Sequence, residues 1–415
     1  MKTAAAPPKL SGSPCRARGY LAAWMPIAAA LVVRLGAILA SDRVVADVLR
    51  YRRVAAHVLD VSWNPYLAAH LYPYPPVWVW VEAGCEWLAR HTGLSFAVLV
   101  KLPVVAAEIA IVALLARWGA ERGGAARWAP WIYALHPLAV LVSGFHGQFD
   151  SLALLMVLLA VRASERGRHD AAALALAAAI ALKSFPVLAV PVLLLRVTGP
   201  AARARFVALA TLPVAALLVP YLAHDAGAVA RELFGYGGVA DFGWIGAWRG
   251  LRWVTEGTLA RGEARFHGPL VAAAKVLFLA AYAAIVARMA RREAITAVLA
   301  VLVAFEAFYG ALSAQYLLWV IPLAALRPDR WLAMYSVFAS MGLVGFYLFL
   351  APGVLTASGA MEGAGPAWVA GAVLTVAASA SWLVALVRNA SQAGHGTDAA
   401  PRRSTIVRPS QNATP

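Results

Sequence analysis

Charged residues are scarce in this chain. Only 13% of its 415 residues are Asp, Glu, Lys or Arg, whereas 62% are hydrophobic. A soluble domain carries about 25% charged residues, so this chain lacks the polar side chains that would cover a globular fold in water. The scarcity excludes an ordinary soluble enzyme and predicts a protein that lipid largely covers.

Metal-binding and nucleotide-binding motifs are also missing. The two cysteines, Cys15 and Cys85, are too few for a disulfide framework or a thiolate metal site. The sequence has no Walker loop, no dinucleotide fingerprint after a strand and no His-x-x-x-His pair. We therefore expect no metal and no cofactor, so that the energy for any reaction must arrive with the substrate.

The apolar runs lack the alternation of apolar and polar residues that membrane-spanning strands show. They are rich in Ala and Leu, which predicts an all-α, polytopic bundle of about 12 transmembrane helices. The transmembrane domain is expected over 19–388, between two disordered cytoplasmic tails at 1–18 and 389–415. The predicted spans lie near 20–40, 96–117, 127–145, 148–163, 170–182, 184–196, 206–223, 268–288, 294–311, 313–327, 331–350 and 367–388.

The net charge of +16 fits nucleic-acid binding or the Lys and Arg excess that orients membrane proteins. The basic residues form short clusters between apolar runs, which favours the second interpretation and no nucleic-acid partner. With both termini in the cytoplasm, every short cytoplasmic loop is basic. The long segments 41–95 and 224–267, which hold most acids, then face the other side of the inner (plasma) membrane. A helix near 74–90 is expected on that surface.

The first of these long segments carries Asp47 followed by Arg50, Arg52 and Arg53. An acid beside the membrane surface is partly desolvated, which raises its basicity, and neighbouring arginines are suited to a phosphate. The alternative is a solvated loop with Asp–Arg pairs.

Polar residues also gather at other predicted helix ends of this face. They are His146, Gln148 and Asp150, then Lys183 before a proline break, then Gln315 and Tyr316. Each has a plainer interpretation: a helix cap for Asp150, a side chain reaching the interface for Lys183, and an aromatic belt for Tyr316. Arg34, at membrane depth, is a functional candidate because such charges are costly.

These motifs, in this order, resemble the GT-C superfamily of polytopic glycosyltransferases, and within it the PIG-M type mannosyltransferases and their bacterial relatives. The residues that carry the resemblance are Asp47, Tyr51, Asn64-Pro65-Tyr66, Tyr74-Pro75-Pro76, Gly147-Gln148-Phe149-Asp150-Ser151, Lys183-Ser184-Phe185-Pro186 and Ser313-Ala314-Gln315-Tyr316-Leu317-Leu318-Trp319. In this chain Val48-Leu49-Arg50 separates the acid from Tyr51, whereas in close members a tyrosine often follows the acid directly.

The resemblance implies inverting transfer of a hexose, with mannose favoured, from a polyprenyl-phosphate donor to a lipid- or glycan-linked acceptor. It implies Asp47 as the general base, with Asp42 as the alternative because of this difference in spacing. It also implies Arg34, Arg50, Arg52, Arg53 or Lys183 as cations for the phosphate. The remaining site residues, expected to contact substrate, are Tyr51, Tyr66, Tyr74, His146, Gln148, Asp150, Gln315 and Tyr316.

A transporter or lipid flippase is the main alternative, and the break at Lys183–Pro186 is the feature that best supports it. A membrane scaffold without a site is a second alternative. It explains the hydropathy but not the clustering of polar residues on one face.

Overall fold

The structure, a computed structural model, describes residues 14–41, 46–68, 72–235, 239–256, 268–290, 292–350 and 364–395. Within these ranges the chain is helical, and an isolated β-bridge joins Phe242 to Leu312. The predicted all-α fold class is confirmed. Asp42, the alternative to Asp47, lies outside the described residues, as does most of each predicted tail.

The α-helices follow one another through short connections. In chain order they are α1 (Pro14–Leu39), α2 (Ala46–Asp60), α3 (Trp78–Thr92), α4 (Phe96–Arg122), α5 (Ala129–Ala134), α6 (Pro137–Ala139), α7 (Asp150–Glu165), α8 (His169–Leu182), α9 (Val190–Leu194), α10 (Pro200–Phe234), α11 (Gly243–Glu256), α12 (Gly268–Met289), α13 (Ala294–Phe308), α14 (Ile321–Ala325), α15 (Arg330–Leu350) and α16 (Gly365–His395). Short 3-10 helices at Pro65–Leu67, Gly124–Trp128, Phe185–Ala189 and Ala314–Leu318 and a π-helical turn at Val140–Phe145 lie between them.

Within the described ranges, six helical stretches are long and apolar enough to cross a membrane: Phe96–Arg122, Gly124–Phe145, Pro200–Phe234, Pro269–Met289, Arg330–Phe349 and Gly365–Asn389. They indicate a membrane protein, since about 20 apolar residues span the hydrocarbon core. The other six predicted spans correspond to α1, in which Trp24–Leu39 is the apolar stretch, to the shorter helices α7, α8 and α13, and to two pairs of short helices, so twelve spans stays a prediction. The predicted break at Lys183–Pro186 is present between α8 and the next 3-10 helix.

The core lies around α13, in which every residue from Ala294 to Ala307 is buried. Helices α7, α11, α12 and α16 pack against it. In contrast, α10 and α12 bury only 17% and 22% of their most apolar windows. Their exposed Leu and Val side chains form the apolar surface that a membrane protein presents to lipid.

The two ends of the bundle are built differently. At one end, here the Arg122 end, Arg122 and Arg327 both pair with Glu293, and Arg162 pairs with Glu121. At the opposite end, here the Asp47 end, α2 and α3 pack together beside the start of α4. Helix α3 is the helix predicted near 74–90, and α2 is an addition to the predicted elements. Helix α16 continues through His395, so the predicted tail from 389 begins as helix.

Candidate active site

Asp47 lies in the first turn of α2, where a carboxylate is stabilised by the positive end of the helix dipole. The helix is amphipathic, with Val48, Tyr51 and Ala55 buried against α3 and α4. This packing fixes the start of α2 at the end of the bundle. The Asp47 side chain stays 25% exposed there, so a substrate can reach it.

Two side chains from the segment before α7 hold one oxygen of Asp47. His146 Nε2 lies 3.1 Å from Oδ2, and Gln148 Nε2 donates a hydrogen bond to the same Oδ2. Tyr51 Oη donates to Gln148 Oε1 at 3.0 Å, which sets the orientation of the amide. Oδ1 accepts no hydrogen bond from the described residues, and Arg50 Nη1 lies 3.7 Å from it. Oδ1 is therefore the oxygen left for a substrate proton.

The backbone before α7 explains why His146 and Gln148 point the same way. The π-helical turn Val140–Phe145 ends at His146, and such turns are frequent at functional sites. Gly147 then takes a φ of +81°, a conformation that glycine adopts without strain. A Cβ at Gly147 would lie 2.9 Å from Lys101 Cε, so a side chain is excluded here for a second reason.

Tyr347 of α15 completes the contacts of His146. Its hydroxyl lies 2.7 Å from His146 Nδ1. An ionised carboxylate only accepts hydrogen bonds, so Nε2 must carry the proton that Asp47 shares. Tyr347 fixes the ring from its other side and so keeps Nε2 directed at Asp47. No sequence motif singled out Tyr347, because it lies in an apolar helix beyond the last of the motifs that resemble the GT-C superfamily.

Opposing effects set the ionisation of Asp47. Burial raises its pKa, but the hydrogen bond and charge of His146 and the positive charges of Arg50 and Lys183 lower it, with a net result of about 2. The carboxylate is therefore ionised at neutral pH, but its basicity is lowered and not raised as its desolvation alone predicted, because His146, Arg50 and Lys183 outweigh the effect of burial.

Lys183 and Asp150 form a second polar group beside Asp47. Lys183 Nζ donates to Asp150 Oδ2 at 2.5 Å and lies 4.6 Å from the centre of the Phe149 ring. Trp319 Nε1 donates to Asp150 Oδ1 at 2.6 Å. Asp150 therefore holds Lys183 and Trp319 and does not act as the helix cap that the plainer interpretation suggests. The lysine side chain is 6% exposed, and its ammonium has donors beyond the one that Asp150 accepts.

The segment 313–319 supplies Trp319 to this group. Tyr316 packs on Trp319 with ring centres 4.3 Å apart and is partly exposed, while Gln315 is 7% exposed. Phe185 stacks on Trp319 with ring centres 3.9 Å apart. Two of the predicted motifs, at Lys183–Pro186 and Ser313–Trp319, thus meet at Asp150.

The predicted tyrosines form an aromatic layer under the site. Tyr74 contacts Phe149 edge-on at 4.9 Å, and the Lys183 ammonium lies 5.4 Å from its ring centre. Tyr66 is fully buried and donates its hydroxyl to the Tyr74 carbonyl. Tyr66 therefore supports Tyr74, and the structure does not place it on the open side of the site. This is a correction to its predicted contact with substrate.

The predicted phosphate-binding arginines occupy very different positions. Arg34 is fully buried and binds Glu108 through Nε and Nη2, at 2.8 and 2.5 Å. Its predicted role at the phosphate is wrong because a substrate cannot reach it. Arg52 is exposed and pairs with Glu86 on α3. Arg53 is exposed, and Arg50 is the arginine beside Asp47.

Asp241 is a further acid near Asp47. It precedes α11, and its pKa is affected by the charges of Asp47 and His146. Asp241 lies in a segment rich in glycine and aromatic residues, but nearly 200 residues separate it from Asp47 in the sequence, so no local pattern predicted that the two acids lie near each other.

Among the described residues, no three His, Cys, Asp or Glu side chains are grouped as metal ligands would be.

The family model described as alpha-(1->6)-mannopyranosyltransferase, N-terminal domain, of the MptA/B family matches residues 51–199. This stretch includes most of the predicted site residues: Tyr51, Tyr66, Tyr74, His146, Gln148, Asp150 and Lys183. It begins just after Asp47 and ends before α10. No curated protein matches the chain. The family match, on a bundle that gathers these residues at one end, identifies the chain as a glycosyltransferase.

Proposed function

We propose that this membrane glycosyltransferase moves mannose from a polyprenyl-phosphate donor to a lipid- or glycan-linked acceptor, with inversion at the sugar carbon. The observation that supports this most is the geometry of Asp47: Oδ2 is held by His146 and Gln148, while Oδ1 is left for a proton. The description of the matching family favours mannose. The absence of any nucleotide motif from the sequence favours a donor that is activated by a lipid phosphate.

In the proposed reaction, Asp47 Oδ1 takes the proton from the acceptor hydroxyl as its oxygen attacks C1 of the donor sugar. The bond from C1 to the phosphate oxygen breaks, and its electron pair leaves with the polyprenyl phosphate. His146 and Gln148 keep the carboxylate in place. The proton then passes from Asp47 to solvent or to the departing phosphate, which restores the ionised base.

The leaving phosphate gains negative charge and needs a cation nearby. Arg50 and Lys183 are the predicted cations that stand close enough to Asp47 to affect its pKa. Arg50 is 39% exposed and remains 3.7 Å from Asp47, so it can turn toward a phosphate. We therefore assign the phosphate to the side of Asp47 on which Arg50 and Lys183 lie.

The arginines of the short connections support one orientation in the membrane. Arg122, Arg162 and Arg327 all lie at the end opposite Asp47. Basic residues in short connecting segments are typical of the cytoplasmic face, which supports a site on the non-cytoplasmic face of the inner (plasma) membrane. Transport is less well supported, because Arg34 and Glu108, charged residues at membrane depth, bind each other in a fully buried pair.

A transfer assay with the purified chain tests this function. We expect polyprenyl-phosphate mannose to mannosylate octyl α-D-mannopyranoside, and a β-linked donor to give an α-linked product by NMR. Excess EDTA should leave the rate unchanged. Transfer from GDP-mannose with none from the lipid donor would contradict the donor class, retention would contradict inversion, and inactivation by EDTA would contradict the metal-free mechanism.

A further inference from the structure

Asp241 is fixed at the Asp47 end by its backbone. The amides of Asp241 and Phe242 donate to the Leu312 carbonyl at 3.1 and 2.8 Å, and Trp368 Nε1 donates to the Asp241 carbonyl at 2.9 Å. This residue is thus held by contacts to two separate parts of the bundle, namely the segment after α13 and helix α16. Its carboxylate has a defined position and is not carried on a free loop.

The Asp241 carboxylate and Asp47 share the same region. Phe242, next to Asp241, packs on Phe346 with ring centres 5.5 Å apart, and the neighbouring Tyr347 bonds His146, which bonds Asp47. The charge of Asp47 also acts on Asp241. Asp241 therefore lies near Asp47 on the side of α15, whereas Lys183 pairs with Asp150 of α7.

The Asp241 carboxylate contacts Arg249 and has room for further hydrogen-bond donors. Its carboxylate accepts no hydrogen bond from the described residues, although it is only 16% exposed. Arg249 Nη1 lies 3.5 Å from Oδ1 and donates instead to the Ala240 carbonyl at 3.1 Å. Arg249 partly neutralises this largely buried carboxylate but leaves its oxygens able to accept hydrogen bonds, which a ligand with hydroxyl groups would donate.

The ionisation of Asp241 reflects the same surroundings. Burial raises its pKa, Arg249 lowers it, Asp47 raises it and His146 lowers it, with a net value of about 7. The residue therefore changes charge close to neutral pH, unlike Asp47.

We propose that Asp241 binds the acceptor sugar, accepting hydrogen bonds from ring hydroxyls other than the one that attacks. This rests on the proposed function, in which Asp47 takes the proton of the attacking hydroxyl. The acceptor must lie against Asp47, and Asp241 lies close enough to Asp47 for their charges to interact. A donor phosphate would be repelled by Asp241, whereas the neutral hydroxyls of the acceptor donate to a carboxylate readily.

The transfer assay, with polyprenyl-phosphate mannose as donor and octyl α-D-mannopyranoside as acceptor, tests this residue. Asp241→Asn should raise the acceptor KM at least about tenfold, since a hydrogen bond to a charged group is lost, while the donor KM stays within about twofold. Asp60→Asn is the matched control, because Asp60 is an exposed acid of α2 that pairs with Arg90. It should leave both constants unchanged.

Deoxy acceptors make the test specific. The wild-type chain should discriminate against the mannoside that lacks the contacted hydroxyl, and Asp241→Asn should lose this discrimination while Asp241→Glu keeps part of it. Between pH 6 and 8, kcat/KM for the acceptor should rise in the wild type as Asp241 ionises, and this rise should be absent in Asp241→Asn.

Several outcomes would overturn the inference. An acceptor KM within twofold of wild type in Asp241→Asn and Asp241→Ala would do so, as would a change confined to the donor KM or to kcat at saturating acceptor. Unchanged discrimination against every deoxy acceptor would also do so. If the wild type transfers no sugar from the lipid donor, the proposed function fails and this inference fails with it; normal wild-type turnover separates the two cases.

Discussion

Asp47 and Glu108 are both carboxylates held by several donors, yet only one of them is open to a substrate. Glu108 is fully buried and accepts hydrogen bonds from Arg34, Tyr133 at 2.8 Å and Ser143 at 2.8 Å. Asp47 is 25% exposed and leaves Oδ1 without a donor among the described residues. Access and a free oxygen therefore separate a candidate base from a structural acid, since both carboxylates are well bonded.

The Glu108 region connects helices. Arg34 lies on α1, Glu108 on α4 and Tyr133 on α5, and Arg34 Nη1 also donates to the Ala134 carbonyl at 2.7 Å. This network joins three helices inside the bundle. Because the ions are paired and hydrogen-bonded, the charges are tolerated where there is no water. The Asp47 region joins α2, α15 and the segment before α7 but stays open at one side.

The largest expected effect is on activity at Asp47. Asp47→Asn should lower kcat by about 10²–10⁴-fold, because the amide cannot accept the acceptor proton. The transfer assay with the lipid donor measures this. The variant should stay folded, because the shift of the Asp47 pKa from its ordinary value of 3.8 to about 2 corresponds to about 2 kcal/mol of stability. Full activity in this variant would remove Asp47 from the mechanism.

For Asp47 the folded pKa lies below the unfolded one. Its contribution to stability is therefore present above about pH 4 and is lost as pH falls toward 2. Protonation of Asp47 should not limit the rate at pH 5–9, so any pH dependence in that range belongs to another group.

The second expected effect is on stability at Glu108. Glu108→Gln leaves the Arg34 charge buried without its counter-ion, which should destabilise the protein by about 3–5 kcal/mol. Thermal unfolding in detergent, followed by light scattering or tryptophan fluorescence, measures this. The folded fraction should keep its kcat, in contrast to Asp47→Asn.

A double variant provides the control for Glu108. Arg34→Met with Glu108→Leu removes both charges and should recover much of the lost stability, because apolar residues of similar size often replace a buried pair without cost. If Glu108→Gln kept its stability but lost kcat, Glu108 would take part in the reaction and the comparison with Asp47 would fail.

The smallest expected effect is at Tyr347. Tyr347→Phe keeps the ring packed but removes the hydroxyl that bonds His146 Nδ1, so the direction of Nε2 is less well fixed. A neutral hydrogen bond contributes about 0.5–1.5 kcal/mol, which predicts a loss in kcat of about threefold to tenfold. Tyr335→Phe is the matched control on the same helix, since the Tyr335 hydroxyl bonds the Leu317 carbonyl. Equal kcat values in the two variants would remove Tyr347 from the site.

The local sequence could predict that each polar motif stands at a helix end. His146, Gln148 and Asp150 surround Gly147, and Lys183 precedes Pro186, so each group interrupts an apolar run. It could not predict the partners of each side chain, because a polar residue at a helix end can cap the helix, meet water or bond another helix. Arg34 is an example of this limit of local sequence. Its charge at membrane depth suggested a ligand site, but Glu108 of α4 neutralises that charge.

Composition and hydropathy by themselves determined that this chain is an all-helical membrane protein, because backbone polar groups in lipid find partners only within helices or closed barrels, and the apolar runs lack the alternation of barrel strands. The order of the polar motifs determined which residues to consider as a site. Only the tertiary structure decided that Asp47 meets His146 and Gln148, that Tyr347 and Asp241 stand beside them, and that Arg34 does not. These pairings join helices far apart in the chain, and helix packing sets such distances whereas local residue patterns do not.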